Sequence, residues 1–159
     1  MMTSETNDAG EPFKVFLSYD TVDCASGQRV ADHLRTYLNA RVFSPDTLSP
    51  GESWRKRLRD EISGSKLFVM VLSPHSLDSA WMRQELGAAW ALEKPVLSVC
   101  TEPDLLQRLP VELSKVNCIQ LRDLDDPAKF NRAVLVLLGD ETEKKEEEAS
   151  SLITSEKPT

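Results

Sequence analysis

Leu67 to Leu72 (LFVMVL) places six apolar residues in a row with no polar alternation. Such a run suits a central parallel strand covered on both faces. Shorter β-rich runs occur at Phe13–Tyr19 (FKVFLSY), Arg41–Phe43, Pro95–Cys100 (PVLSVC) and Val116–Leu121 (VNCIQL). Between them the apolar spacing changes to that of a helix. Val30, Ala31, Leu34, Tyr37 and Leu38 recur this way within Gln28–Ala40, and Trp54, Leu58 and Ile62 within Trp54–Ser63. A third helix carries Trp81, Glu85, Ala88, Ala89 and Leu92 on one face and ends before Pro95, and Pro127–Leu138 forms a fourth around Phe130 and Val134. Ser53 stands where the second helix needs an N-cap. Thr101 to Lys115 reads as irregular, with one helical turn around Leu105.

Strands alternating with helices predict an α/β fold, a five-stranded parallel sheet with helices on both faces. In such folds ligands sit outside the carboxyl ends of the strands. Three polar loops are expected there, after Tyr19, after Phe43 and after Leu72. The second, Ser44 to Ser53, holds Pro45, Pro50 and Gly51 and is long enough to expect a role in function. Residues 1–12 read as a disordered lead-in, 13–138 as the folded domain and 139–159 as an acidic tail or linker. Residues 140–159 carry seven acidic and three basic side chains and no aromatic.

Charge narrows the partners. The net charge is −7 and the isoelectric point about 4.9, which argues against nucleic acid, whose phosphates need a basic footprint. The exception is Arg55-Lys56-Arg57-Leu58-Arg59. These side chains read as the solvated side of a helix whose core face is Trp54, Leu58 and Ile62, although the helix start after Pro50-Gly51 is also a place that attracts anions. No apolar run approaches membrane-spanning length. Cys24, Cys100 and Cys118 form no C-x-x-C pair, and two of them lie in or beside apolar segments, as small hydrophobes do. A reducing cytoplasm is the simplest compartment for this pattern.

Several chemistries find no support in the sequence. There is no G-x-G-x-x-G and no G-x-x-x-x-G-K-[ST], so the phosphate-binding fingerprints are missing. His33 and His75 are isolated and read as surface histidines, because a zinc site needs three or four convergent ligands. Glu85 admits two readings. It is either a solvated carboxylate near a helix N-terminus, or a carboxylate kept by apolar neighbours to meet a developing positive charge. Cleavage of an N-glycosidic bond passes through an oxocarbenium-like centre that one well-placed carboxylate stabilises. Trp81, four residues earlier on the same face, could stack on a flat heterocycle.

Three stretches resemble the successive boxes of the Toll/interleukin-receptor (TIR) domain family. They are Phe16-Leu17-Ser18-Tyr19, then Leu48-Ser49-Pro50-Gly51-Glu52-Ser53-Trp54, then Leu72-Ser73-Pro74-His75-Ser76 with Ser79-Ala80-Trp81-Met82-Arg83-Gln84-Glu85-Leu86. The resemblance runs from about Phe13 to Leu138 and implies a flavodoxin-like sheet. It is similar above all to the NAD-consuming microbial TIR domains. It implies that Glu85 is the catalytic glutamate of the W-x-x-x-E-L segment and that Trp81 lies beside the bound nucleotide. Ser18, Tyr19, Pro50 and Gly51 would line the pocket, Trp54 and Arg55 would also bind substrate, and phosphate contacts would come from Arg55 or from backbone amides, since Asp20 and Thr21 stand where enzyme members often carry basic residues. The implied reaction cleaves NAD+ between nicotinamide and ribose, giving nicotinamide with ADP-ribose or a cyclised product. NAD+ is then the substrate, and no resident cofactor is implied. The implied partners are other TIR domains by self-association, with neither nucleic acid nor membrane. The rival readings are a non-catalytic TIR–TIR scaffold and an effector that mimics TIR domains.

Overall fold

The computed structural model describes residues 13–45, 53–109 and 117–139, the side chain of Trp54 excepted. The expectations for the lead-in, for Pro50 and Gly51, and for the tail beyond 139 fall outside the described residues. Among the described residues, β1 (Lys14–Ser18), β2 (Arg41–Phe43), β3 (Leu67–Leu72), β4 (Val96–Cys100) and β5 (Asn117–Gln120) form one sheet in the order β2-β1-β3-β4-β5. Every pairing is parallel. β3 is buried at all six positions, as its unbroken apolar run requires.

Side chains alternate across the sheet and create two cores. On one face Val15, Leu17, Val69, Val71, Leu97 and Val99 pack against α1 (Cys24–Leu38) and α4 (residues 127–139) through Val30, Leu34, Phe130 and Val134. On the other face Phe16, Phe68, Met70, Leu72, Val96 and Cys100 meet α2 (Trp54–Gly64) and α3 (Ala80–Ala91) through Leu58, Ile62, Met82, Leu86 and Ala89. Phe16 stacks on Phe68 with ring centroids 5.3 Å apart. The sheet therefore has helices on both faces, the flavodoxin-like arrangement.

Three details differ from the expectations. α1 begins at Cys24, after a 3-10 turn over Thr21–Asp23, and not at Gln28. Its first turn, Cys24-Ala25-Ser26-Gly27, has no apolar periodicity to read. Ser53 occupies the N-cap of α2 but makes no side-chain capping bond. His33 is buried, its Nε2 paired with Asn131 Oδ1 at 3.0 Å and its ring between Tyr37 and Phe130. Its placement on the core side of α1 explains why it is not a surface histidine. Cys100 is buried and Cys118 half-buried, while Cys24 is exposed. The Cys100 and Cys118 sulfurs approach to 2.8 Å across β4 and β5. That contact and burial push the Cys100 thiol up, and the bond from Cys100 draws the Cys118 thiol down.

Candidate active site

The order β2-β1-β3 places the reversal of strand order between β1 and β3, and ligands of such sheets bind beyond the strand ends at that point. A cavity of about 400 Å³ lies there. Its wall takes Tyr19, Asp20 and Thr21 from the loop after β1, Cys24 from the start of α1, Pro45 from the loop after β2, and Ser79 and Trp81 from the start of α3. All three loops singled out from the sequence thus meet at one opening.

The wall is held by local hydrogen bonds. The Asp20 carboxylate accepts from the Val22 backbone N–H at 3.1 Å and caps the 3-10 turn. The Ser73 backbone N–H donates to Ser76 Oγ at 2.7 Å, and Ser73 Oγ donates to Asp23 Oδ2 at 2.6 Å. These bonds fix the loop after β3 to the start of α1. Ser79 then caps α3 by accepting from the Met82 N–H at 3.3 Å. The Tyr19 ring lies against α1 at Gly27, where an added Cβ would stand 2.4 Å from the ring. A glycine inside a helix costs about 1 kcal/mol relative to alanine. Here it makes the space that lets Tyr19 face the cavity.

Glu85 sits one turn below Trp81. It is wholly buried, at 0% exposure, among Met82, Leu86 and Ala89 on the packed face of α3. The reading of Glu85 as a solvated carboxylate is therefore wrong. Ser18, the last residue of β1, donates its hydroxyl to Glu85 Oε1 at 2.5 Å, and Met82 Sδ lies 2.9 Å from Ser18 Oγ. A hydroxyl has one hydrogen to give, and the carboxylate is the stronger acceptor. Glu85 Oε2 has no partner among the described residues. Burial pushes the Glu85 carboxyl from an ordinary 4.5 up to about 7, against the opposing pull of the Ser18 bond. Desolvation wins because one hydrogen bond replaces only part of the lost hydration.

Cα–Cβ bonds in a helix lean toward its N-terminus. The Glu85 Cα–Cβ bond therefore tilts toward the turn that carries Trp81, while its carboxyl meets Ser18. Glu85 itself is not part of the cavity wall. Nor is Ser18, which was expected to line the pocket; its hydroxyl is turned to Glu85 and it is buried. Tyr19 and Trp81 do line it. Arg55 lies exposed on α2 and is not among the described lining residues. Asp20, Thr21, Cys24, Pro45 and Ser79 line the cavity without having been singled out as binding residues. The expected position of the loop after β1 was the available signal for Asp20 and Thr21. Among the described residues no three His, Cys, Asp or Glu side chains converge as a metal site would require.

Sheet order, cleft position and buried carboxylate define a doubly wound α/β domain with a cavity at its topological switch point. The chain belongs to the TIR domain family, whose profile matches residues 15–135. It is similar to a probable 2' cyclic ADP-D-ribose synthase, TcpB, of Brucella abortus, at 34% identity over 92 residues, covering 57% of this chain and 36% of that protein. It is also similar to the NAD(+) hydrolase PdTIR of Paracoccus denitrificans, at 29% identity over 83 residues, covering 52% of this chain and 28% of that protein. Among solved structures, the TIR domain of the Toll-related receptor TRR-2 from Hydra magnipapillata superposes with a TM-score of 0.64 at 16% identity, covering 79% of this chain and 98% of that one. That likeness concerns the fold. The chain thus spans about a third of the length of the curated relatives. No helix among the described residues is long and apolar enough to cross a membrane.

Proposed function

We propose that this domain is an NAD+ nucleosidase that cleaves the bond between nicotinamide and ribose. The observation that carries the reading is Glu85: a wholly buried carboxyl, held at one oxygen by Ser18, unpartnered at the other among the described residues, and one helical turn from Trp81 in the wall of an aromatic-lined cavity. An isolated buried carboxylate is costly to fold around, and a positive charge arriving beside it offsets that cost.

The chemistry follows from charge. When the C1'–N1 bond breaks, its electron pair goes to the nicotinamide nitrogen and neutralises the ring, leaving an oxocarbenium-like ribosyl cation. Glu85 in its ionised form stabilises that cation, and its free oxygen can hold a ribose hydroxyl. Water attacking C1' and losing a proton gives ADP-ribose. Attack by a hydroxyl or ring nitrogen of the same ADP-ribosyl unit gives a cyclic product. Trp81 and Tyr19 supply flat surfaces for a heterocycle. The relatives named for cyclic ADP-ribose synthesis and NAD+ hydrolysis support the reaction class.

Since Glu85 has no exposed surface, substrate reaches it only after the covering side chains shift. Self-association with other TIR domains, in immune or stress signalling within a cytoplasm, is the proposed trigger. The test is NAD+ loss by chromatography at low and high protein concentration, with wild type beside Glu85→Gln. Turnover that rises with concentration and drops at least about a hundredfold in the variant supports the reading. No turnover at any concentration, tethered oligomers included, refutes it and leaves assembly as the domain's activity.

A further inference from the structure

Among the described residues the cavity wall holds an acidic side chain and no basic one. Asp20 lies at the mouth, half-buried, with Tyr19 and Trp81 in the same wall. The described lining contains no Lys, Arg or His. Asp20 uses Oδ1 for its turn: that oxygen accepts from the Val22 N–H at 3.1 Å and from the Thr21 hydroxyl at 3.5 Å. Among the described residues its Oδ2 has no such duty. This wall repels phosphate and attracts positive charge. Aromatic faces add to the attraction, because the negative face of a ring favours a cation lying over it. A neutral, electron-rich heterocycle would gain the stacking but not the charge.

We infer that Asp20, with Trp81 and Tyr19, is a specificity determinant that selects a positively charged heteroaromatic ring over its neutral counterpart at the mouth of the cavity. This inference deepens the nucleosidase reading and rests on it for its biological sense. Before cleavage the nicotinamide ring of NAD+ carries a positive charge, whereas in the reduced dinucleotide and in released nicotinamide it is neutral. A wall of this composition therefore holds the substrate and lets the leaving group go once the bond has broken. It also directs the pyrophosphate away from Asp20, out of this part of the cleft.

The test needs no turnover. Binding of 1-methylnicotinamide, a cation, and of nicotinamide, its neutral analogue, is measured by chemical-shift titration of the whole chain, in wild type and in Asp20→Asn. Asparagine keeps an acceptor for the Val22 N–H, and thermal unfolding checks that the fold is retained. In wild type the cation is expected to bind about three- to tenfold more tightly, the range of one partly exposed ion pair plus a cation–π contact. The preference is expected to fall toward unity in Asp20→Asn and to shrink as salt is raised in wild type. Equal binding of the two probes to wild type overturns the inference. So does a preference that survives Asp20→Asn, or no measurable binding of the cation at millimolar concentration. A cation preference in a protein that never consumes NAD+ would sustain the role of Asp20 and remove the nucleosidase reading. Turnover without the preference would do the reverse.

Discussion

Replacing Glu85 by glutamine tests the site through stability alone. In the native protein the carboxyl titrates at about 7, against an ordinary 4.5. Between those two values the folded chain holds a proton that the unfolded chain has lost, so stability falls as pH rises through this window. Moving a titration by one pH step is worth about 1.4 kcal/mol, and the whole displacement amounts to about 3 kcal/mol above neutrality. That is a large fraction of the roughly 5–15 kcal/mol that holds a domain together. Glutamine does not titrate. Its amide leaves a buried donor in place of Oε2, which costs about 1–3 kcal/mol but does so equally at every pH. The informative quantity is therefore the change in the difference between the two proteins. Urea unfolding followed by tryptophan fluorescence at about pH 5, 6, 7 and 8 measures it. Wild type is expected to lose about 2–3 kcal/mol relative to Glu85→Gln between the acid and alkaline ends, with most of the loss by about pH 7. Parallel stability curves for the two proteins across this range would refute the reasoning and place Glu85 in contact with solvent.

Other expectations follow from the same geometry. If ionised Glu85 is the working form, kcat/KM for NAD+ cleavage rises with pH through about 7 and levels off above it, as an initial-rate profile would record. Ser18→Ala removes the bond that draws the Glu85 carboxyl down and moves that limb about one pH unit higher, because a hydrogen bond to a charged group is worth about 1.5–3 kcal/mol; an unmoved limb argues against Ser18 as its holder. Gly27→Ala sets a methyl 2.4 Å from the Tyr19 ring and is expected to cost about 1–3 kcal/mol in denaturant unfolding while weakening binding of the nicotinamide probes. The Arg29–Asp125 pair is 2.6 Å apart, yet both side chains are exposed, so Arg29→Ala is expected to change stability by less than about 1 kcal/mol.

What the sequence reveals depends on how local the cause is. The burial of β3 is written in LFVMVL itself, and the alternation of such runs with helical spacing specifies the layered α/β class. The three loops at the strand ends follow from that class. The first turn of α1 escapes notice because Gly27 looks like a helix breaker until the Tyr19 ring is seen lying against it. The state of Glu85 is equally hidden, since burial in the second turn of α3 depends on Ser18, which is 67 positions away. Periodicity reports which face of a helix is apolar, not how deeply one carboxylate on that face is covered. The pairing of His33 with Asn131 joins two helices by a contact that spacing within either helix cannot foretell.

The all-parallel register has a consequence for how the chain folds. Val15 pairs with Leu67, Phe68 with Val96 and Leu97 with Asn117, so no neighbouring strands can close through a tight hairpin. Each pairing must first bear the loop-closure entropy of a full crossover, which slows folding relative to a helical bundle of equal length. The bond from Ser18 to Glu85 spans two of these closures: β1 must join β3, and α3 must then settle on the sheet. A partly folded chain with only its C-terminal strands assembled therefore lacks the Ser18–Glu85 bond on which the proposed activity rests.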